Sequence, residues 1–145
     1  MNRHGFTLME LLIAVALVAV MAAMAVPRIG TALTRQSVRS ARGAVVTLHA
    51  KARGAAIQRG RRTDLIFTGN TVLVRTRHPV TGALDTVGSP ENLLRRYGVT
   101  VSTSRDTLTF DPRGLGMESG NTKITVQKGA FTESVEISAL GRVLR

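Results

Sequence analysis

The sequence predicts an α+β fold, in which a long N-terminal α-helix packs on a small antiparallel β-sheet domain. Three observations predict it. An apolar run occupies residues 6–26, a helical period of polar and apolar residues follows from Arg28 to about Gln58, and short alternating segments fill the chain after Gly60. The helix is therefore expected to be apolar in its first half and amphipathic in its second.

The apolar run is the first predicted element. Residues 11–26 contain no polar or charged side chain. At about 1.5 Å per residue, residues 6–26 form a helix about 30 Å long, which matches the hydrocarbon core of a bilayer. Alanines between Met21 and Ala25 leave a cleaved secretory signal as the alternative, although the small residue Gly5 precedes the apolar run instead of following it.

Glu10 lies at the start of this apolar run. A lone carboxylate in hydrocarbon costs about 2.5–3.5 kcal/mol, so its presence there indicates a partner charge. A free amino group on a neighbouring copy of the chain is one such partner. An acid that reaches the membrane interface without any partner is the alternative.

The segment Gly5-Phe6-Thr7-Leu8-Met9-Glu10-Leu11 resembles the class III leader and N-terminal helix of type IV pilins and type II secretion pseudopilins. The resemblance implies cleavage after Gly5 by a prepilin peptidase, N-methylation of Phe6, and pairing of Glu10 with the Phe6 amine of an adjacent subunit. It also implies a single-pass protein of the inner membrane, with its globular domain in the periplasm. The protein would later join a pilus or pseudopilus, in some systems at the cell surface.

These expectations divide the chain into four parts. Residues 1–5 are a leader, residues 6–27 a transmembrane or filament-core helix, residues 28–60 an amphipathic helix, and residues 61–145 a β-rich globular domain. Pro27 is expected to bend or loosen the helix, because it removes a backbone donor. The chain has no cysteine, so packing and sheet hydrogen bonds must stabilise the domain.

The chain is strongly basic, with 20 lysines and arginines against nine acids. No acid occurs between Glu10 and Asp64. A basic segment directly after a membrane helix can contact anionic lipid headgroups, nucleic acid, or acidic neighbours in an assembly. Three arginines at the end of the helix, Arg59, Arg61 and Arg62, are expected to face solvent.

Helical spacing sorts the second half of the helix into two faces. A basic stripe lies within an arc of about 80° and contains Arg28, Arg35, Arg39, Arg42, His49 and Arg53. The opposite, apolar face contains Leu33, Ala41, Ala44, Val45, Leu48, Ala52 and Ala55. Small residues let this face approach a sheet closely, and Gly43 and Gly54 are expected to serve the same purpose.

Short β segments follow the helix. Strands are expected at 64–67, 71–77, 84–87, 99–103, 107–110, 122–128 and 131–137. Turn residues predict hairpins around Gly69-Asn70 and Gly129-Ala130. Residues 99–103 are expected to pair with 107–110, and Ser89 is expected to cap a short helical turn that begins at Pro90.

The C-terminal third carries a second resemblance. Thr109-Phe110-Asp111-Pro112-Arg113-Gly114, a two-strand hairpin, and then Ile137 to Arg145 resemble the C-terminal region of the GspH/FimT group of minor pilins and pseudopilins. In the FimT branch, a terminal Gly-Arg-x-Arg element is associated with DNA binding for uptake in natural transformation. Gly141 and Arg142 match that element, but the next arginine is Arg145, one position late. A flexible terminus would absorb this shift, whereas an extended strand would place Arg145 on the opposite face.

Arg142, Arg145 and Arg113 are the candidate DNA-binding residues. Arginine forks bind phosphate oxygens, and such binding is sensitive to salt and independent of sequence. Scattered aromatic residues argue against recognition by base stacking. Arginines that merely solvate a terminal loop are the alternative.

Enzyme chemistry finds little support in the sequence. The three histidines, His4, His49 and His78, stand apart from one another and from carboxylate pairs, and no cysteine nucleophile is present. Asp111 beside Arg113 is interpreted as turn chemistry. No catalytic residue, metal or cofactor is therefore predicted.

Two functions remain as hypotheses. The first is a minor type IV pilin of FimT type, whose basic C-terminal region binds double-stranded DNA through its phosphates. The alternative is a GspH-type minor pseudopilin of a type II secretion system, which makes protein contacts without binding DNA. Both imply the prepilin peptidase, other pilin or pseudopilin subunits and the inner membrane as partners.

Overall fold

The computed structural model describes residues 7–144, apart from the side chains of residues 25–27. The leader, Gly5, Phe6 and Arg145 lie outside the described residues. The chain forms two compact units, which meet between Arg35 and Gln36. One helix, α1, extends over Leu8–Arg59 and belongs to both units.

The first unit contains the apolar part of α1. Its large apolar side chains are exposed, for example Leu12 at 61% and Leu17 at 62%. By length and composition, α1 is long and apolar enough to cross a membrane. The helix continues through Pro27, so this proline does not end it.

The second unit combines the rest of α1 with two antiparallel sheets. Its elements are β1 Thr63–Thr68, β2 Thr71–Arg77, β3 Leu84–Thr86, β4 Glu91–Asn92, α2 Leu93–Tyr97, β5 Thr100–Thr103, β6 Thr107–Phe110, β7 Thr122–Lys128, β8 Phe131–Ile137 and β9 Val143–Leu144. The first sheet has the order β3-β2-β1-β6, with β4 also paired to β2. The second has the order β5-β7-β8-β9. The predicted α+β class is confirmed.

Both hairpins with glycine turns form as predicted. β1 and β2 pair up to Thr68 opposite Thr71, and β7 and β8 pair up to Lys128 opposite Phe131. Gly69 and Gly129 adopt positive φ in the two turns, which glycine adopts without steric cost. The short helix α2 begins later than predicted, because Asn92 is its cap: Asn92 Oδ1 accepts a hydrogen bond from the Arg95 N–H at 2.8 Å.

The predicted pairing of residues 99–103 with 107–110 is wrong. β6 pairs with β1, where Leu65 faces Leu108, and β5 pairs with β7, where Val101 faces Val126. The chain therefore passes from one sheet to the other between β5 and β6. A local hairpin would satisfy the backbone equally well, but the observed pairing places each strand on an existing sheet edge and brings Leu108 into the core.

The core lies between α1 and the two sheets. The buried side chains of α1 are small or branched and begin at Val38, which allows close approach of helix and sheet. They pack with residues from both sheets, namely Leu65, Phe67, Val72, Val74, Leu108, Phe110, Ile124, Val126, Val135 and Ile137. Every residue of this core belongs to the second unit.

Three expectations for the helix faces need correction. Leu33 is 64% exposed, because the buried face starts one turn later at Val38. His49 is buried at 4% exposure, since it lies at the border of the two faces and not within the basic stripe. A Cβ added at Gly43 or Gly54 would meet nothing within 4 Å, so neither glycine serves a close contact.

Candidate functional site

At the N-terminal end, the structure places Glu10 but neither Gly5 nor Phe6. Glu10 is exposed in the first turn of α1. Thr7 caps this helix, because its Oγ1 accepts the Glu10 N–H at 3.2 Å and its carbonyl oxygen accepts the Leu11 N–H at 3.2 Å. Threonine followed by glutamate three residues later is the capping-box spacing, a local signal that the sequence interpretation missed. Glu10 thus also suits the positive end of the helix dipole.

At the other end of the chain, Arg142 lies in a tight turn between β8 and β9. The Arg142 N–H donates to Ser138 Oγ at 3.0 Å, and the Ser138 N–H donates to the Arg142 carbonyl at 2.8 Å. Gly141 adopts a φ of +78° in this turn. The Arg142 side chain is exposed and has no ion-pair partner within residues 7–144.

Val143 and Leu144, the two described residues after Arg142, form a paired strand. In β9, Val143 faces Ile137 and Leu144 faces Glu136. Leu144 therefore occupies the place of the second arginine in the Gly-Arg-x-Arg element. Arg145 lies outside the described residues.

Two glycines fit the C-terminal turn closely against the loop of residues 111–116. A Cβ at Gly116 would lie 2.5 Å from the Ala139 carbonyl oxygen and 2.7 Å from the Gly141 nitrogen. A Cβ at Gly141 would lie 3.1 Å from the Gly116 nitrogen. The two backbone segments are in direct contact, so a side chain at either glycine would have to displace backbone atoms of the other segment.

His49 supports the same turn from inside the core. Its ring meets Phe110 edge to face, with ring centroids 5.2 Å apart, and it is hydrogen-bonded to the backbone of Gly141. Burial lowers the pKa of His49, and the nearby charge of Arg53 lowers it further. His49 Nε2 is buried without a hydrogen-bond partner among the described residues, which also disfavours a proton there.

Arg113 is held by its own loop. Asp111 Oδ1 accepts the backbone N–H groups of Arg113 at 2.9 Å and Leu115 at 2.8 Å, and Asp111 Oδ2 accepts Arg113 Nε at 3.0 Å. These hydrogen bonds lower the pKa of Asp111, and the bond from the Leu115 N–H has the largest effect. The predicted turn chemistry is confirmed. The guanidinium of Arg113 is exposed, but it already has an anionic partner.

Part of the basic stripe also has partners inside the domain. Arg39 Nε and Arg42 Nε lie 3.5 Å and 3.7 Å from the carboxylate of Glu133 on β8. Arg42 Nε also donates to the Ser134 carbonyl at 3.2 Å. These two arginines therefore connect α1 to the second sheet.

A basic cavity, which the sequence interpretation missed, lies at the end of α1. Its volume is about 510 Å³, and its lining includes Arg61, Arg62, Arg77 and His78. Arg61 and Arg62 were expected only to face solvent. The signal that brings Arg77 next to Arg62 was the predicted hairpin of β1 and β2, whose register was not followed to its open end. Across residues 7–144, no group of three or more histidine, cysteine or acidic residues is placed to hold a metal ion.

Comparisons with known proteins agree with this architecture. Residues 1–26 match the prokaryotic N-terminal methylation motif, and residues 41–141 match the family described as type II transport protein GspH. A search of curated protein sequences gives no match.

Two solved structures are similar, both of the type IV minor pilin FimU of Pseudomonas aeruginosa. The crystal form in space group P21 is 17% identical and has a TM-score of 0.61, covering 76% of this chain and 88% of FimU. The form in P65 is 16% identical with a TM-score of 0.57, covering 73% and 90%. At this identity the similarity concerns the fold. The GspH family match covers most of this chain, from residue 41 to residue 141. The chain therefore belongs to the GspH family and is a minor pilin or pseudopilin.

Proposed function

We propose that this chain is a minor type IV pilin of FimT type whose C-terminal turn binds double-stranded DNA without sequence preference, for uptake in natural transformation. The observation that carries the proposal is the exposed Arg142. It stands in a hydrogen-bonded turn and has no acidic partner in the described part of the chain. A net charge of +11 adds long-range attraction to DNA.

The DNA contact is a phosphate contact. A guanidinium fork binds phosphate oxygens, and a hydrogen-bonded turn loses little backbone freedom on binding. Arg142 is the main contact and Arg145 the second. Arg113 contributes less, because Asp111 already binds its Nε.

The test is duplex binding by the full chain in an uncharged detergent, measured by fluorescence anisotropy. The double variant Arg142→Ala with Arg145→Ala is expected to lower duplex affinity at least tenfold. The slope of the logarithm of affinity against the logarithm of salt concentration should become shallower by about 0.9 for each lost phosphate contact. Arg142→Ala alone is also measured, with Arg95→Ala as its matched control. The control removes one exposed charge from α2, which contacts β5 at the opposite edge of the sheet from β9. Equal losses in both single variants would contradict a specific role for the turn.

The same proposal covers processing and assembly. The prepilin peptidase cleaves after Gly5, Phe6 becomes the methylated N terminus, and Glu10 pairs with the Phe6 amine of the next subunit. Before assembly, α1 holds the protein in the inner membrane with the domain in the periplasm. Mass spectrometry of the mature chain tests the first step, and a start at Met1 or near Ala25 would refute it.

Glu10 can be tested separately from its capping role. Glutamine is accepted at the third position of a capping box, so Glu10→Gln preserves the start of the helix while it removes the charge. We expect Glu10→Gln to lose incorporation into filaments and Glu10→Asp to retain part of it. Normal incorporation of Glu10→Gln would show that the acid acts only at the helix start.

A GspH-type minor pseudopilin of a type II secretion system is the second candidate. Leu144 stands where the FimT element has its second arginine, and the exposed Leu140 precedes the Gly141-Arg142 pair. Apolar neighbours suit a protein contact better than a phosphate contact. Absence of any salt-dependent duplex binding by the wild-type chain would favour this candidate.

A further inference from the structure

We infer that the basic cavity at the end of α1 is a second phosphate-binding site for the same DNA duplex. Its charged lining comes from two places in the chain, the residues after α1 and the end of β2. The inference rests on the proposed DNA binding and extends the interface beyond the C-terminal turn. Arg61, Arg62, Arg77 and His78 are the residues that form it.

Backbone hydrogen bonds position the arginines. The Arg61 N–H donates to the Ala56 carbonyl at 3.1 Å, and the Gly60 N–H donates to the Ile57 carbonyl at 3.2 Å. With Gly60 at a φ of +60°, this is a Schellman motif that ends the helix and fixes the direction of the chain. The Arg77 N–H donates to the Arg62 carbonyl at 3.0 Å, which joins the two segments.

His78 is oriented by the loop that follows it. Its Nδ1 accepts the backbone N–H groups of Thr81 at 3.3 Å and Val80 at 3.4 Å. A neutral imidazole whose Nδ1 accepts carries its proton on Nε2. His78 therefore offers a hydrogen-bond donor at Nε2, and it is one of the residues that line the cavity.

The cavity contains no acid. Its lining includes no aspartate or glutamate, and Arg61, Arg62 and Arg77 have no ion-pair partner anywhere in residues 7–144. Five other arginines of the domain do have one: Arg39, Arg42, Arg96, Arg105 and Arg113. Like charges gathered without a counter-charge repel one another, so an anion binds there favourably.

The bound group is a phosphodiester and not a base. Guanidinium forks match phosphate oxygens in pairs, whereas the lining has no phenylalanine, tyrosine or tryptophan on which a base would stack. Binding at this site is therefore expected to be independent of sequence, as at the C-terminal turn.

The cavity and the C-terminal turn lie at the two ends of one short loop. Pro112 lines the cavity, and Gly116 lies against the backbone of Gly141. Four residues of chain span at most about 14 Å. Duplex DNA carries one charge per about 1.7 Å of its axis, so a duplex that crosses this loop carries several phosphates over such a distance.

The experiment compares two double variants of the full chain in an uncharged detergent. Arg62 and Arg77 are both exposed, so Arg62→Gln with Arg77→Gln removes two cavity charges without disturbing the core. Arg95→Gln with Lys123→Gln removes two charges elsewhere on the domain. Duplex affinity is measured by anisotropy over a series of salt concentrations, and thermal unfolding checks that each variant is folded.

We expect the cavity variant to bind at least tenfold more weakly than the control, with a log–log salt slope reduced by about 1.8 if each arginine contacts one phosphate. A cavity variant that matches the control, while Arg142→Ala still weakens binding, would overturn this inference and leave the proposed function intact. A wild-type chain that binds no duplex would overturn both.

A measurement on the wild-type chain needs no variant. Titration with inorganic phosphate, followed by NMR, is expected to shift the His78 ring and the amides of residues 61–62 and 77–82 more than those of α2. Shifts spread evenly over the basic surface would contradict a localised site.

Discussion

Two groups of arginines differ in what neutralises their charge. The first group connects α1 to the second sheet, and the second lies at the end of α1. Arg39 and Arg42 share the carboxylate of Glu133, whereas Arg61, Arg62 and Arg77 surround a cavity without an acid. Residues of one type thus stabilise the domain in the first region and present unneutralised charge in the second. We therefore expect the attraction of a surface for anions to depend on the partners of its arginines and not only on their number.

The largest expected effect concerns the glycines beside Arg142, which has no ion-pair partner within residues 7–144. Gly116→Ala would force a Cβ to 2.5 Å from the Ala139 carbonyl oxygen. Overpacking of this kind costs about 1–3 kcal/mol, and we expect duplex affinity to fall with the displaced turn. Denaturant unfolding and anisotropy measure the two effects.

Gly54→Ala is the matched control for that substitution. Its Cβ would meet nothing within 4 Å, and alanine favours a helix interior over glycine by about 1 kcal/mol. We therefore expect Gly54→Ala to stabilise the protein and to leave DNA binding unchanged. Destabilisation by Gly54→Ala, or none by Gly116→Ala, would contradict the packing described for these two sites.

The next effect is pH dependence from His49, which supports the Arg142 turn. Because burial lowers the pKa of His49 in the folded protein, the unfolded chain takes up a proton first as the pH falls below about 6.5. Stability is therefore full above that pH and declines below it, by at most about 1.4 kcal/mol per pH unit. Denaturant midpoints between pH 8 and pH 5 measure this decline.

His49→Gln is the control for the pH series, since glutamine does not titrate. We expect its stability to be nearly constant over the same range. The pKa of Asp111 is lowered from its ordinary value of 3.8, so Asp111 stabilises the fold at every pH above 3.8. This stabilisation is lost only when the pH falls below that value, outside the range of the His49 series. An unchanged pH profile in His49→Gln would assign the decline to another group.

The smallest expected effect concerns Glu133, the acid that distinguishes the first group of arginines from the second. Glu133→Gln leaves Arg39 and Arg42 without their partner and costs about 0.2–1 kcal/mol, as is usual for exposed ion pairs. If a missing acidic partner makes an arginine available to DNA, duplex affinity should rise slightly while stability falls. A fall in affinity would contradict the contrast between the two regions.

Local pattern predicted much of this fold. The hairpins around Gly69 and Gly129 are set by turn residues and alternation, and both formed as expected. The predicted hairpin of β5 with β6 did not form. Nothing within residues 99–110 indicates that these two adjacent strands join different sheets. His49 was misplaced because it lies at the border of two helix faces, where a few degrees decide burial.

The sequence by itself determined the apolar helix, its lone Glu10, the excess of arginine and the α+β class, since these depend on composition and on periods of a few residues. Tertiary structure alone decided which arginines of α1 meet an acid. Glu133 is more than 90 residues from Arg39 and Arg42, and Arg77 reaches Arg62 through the pairing of β1 with β2. Val143 and Leu144 form the paired β9, and Leu144 stands where the Gly-Arg-x-Arg element has its second arginine. The ion pairs of Glu133 and the strand pairs of β5 and β6 are made across long stretches of chain, so their physical basis is the fold and not the local pattern.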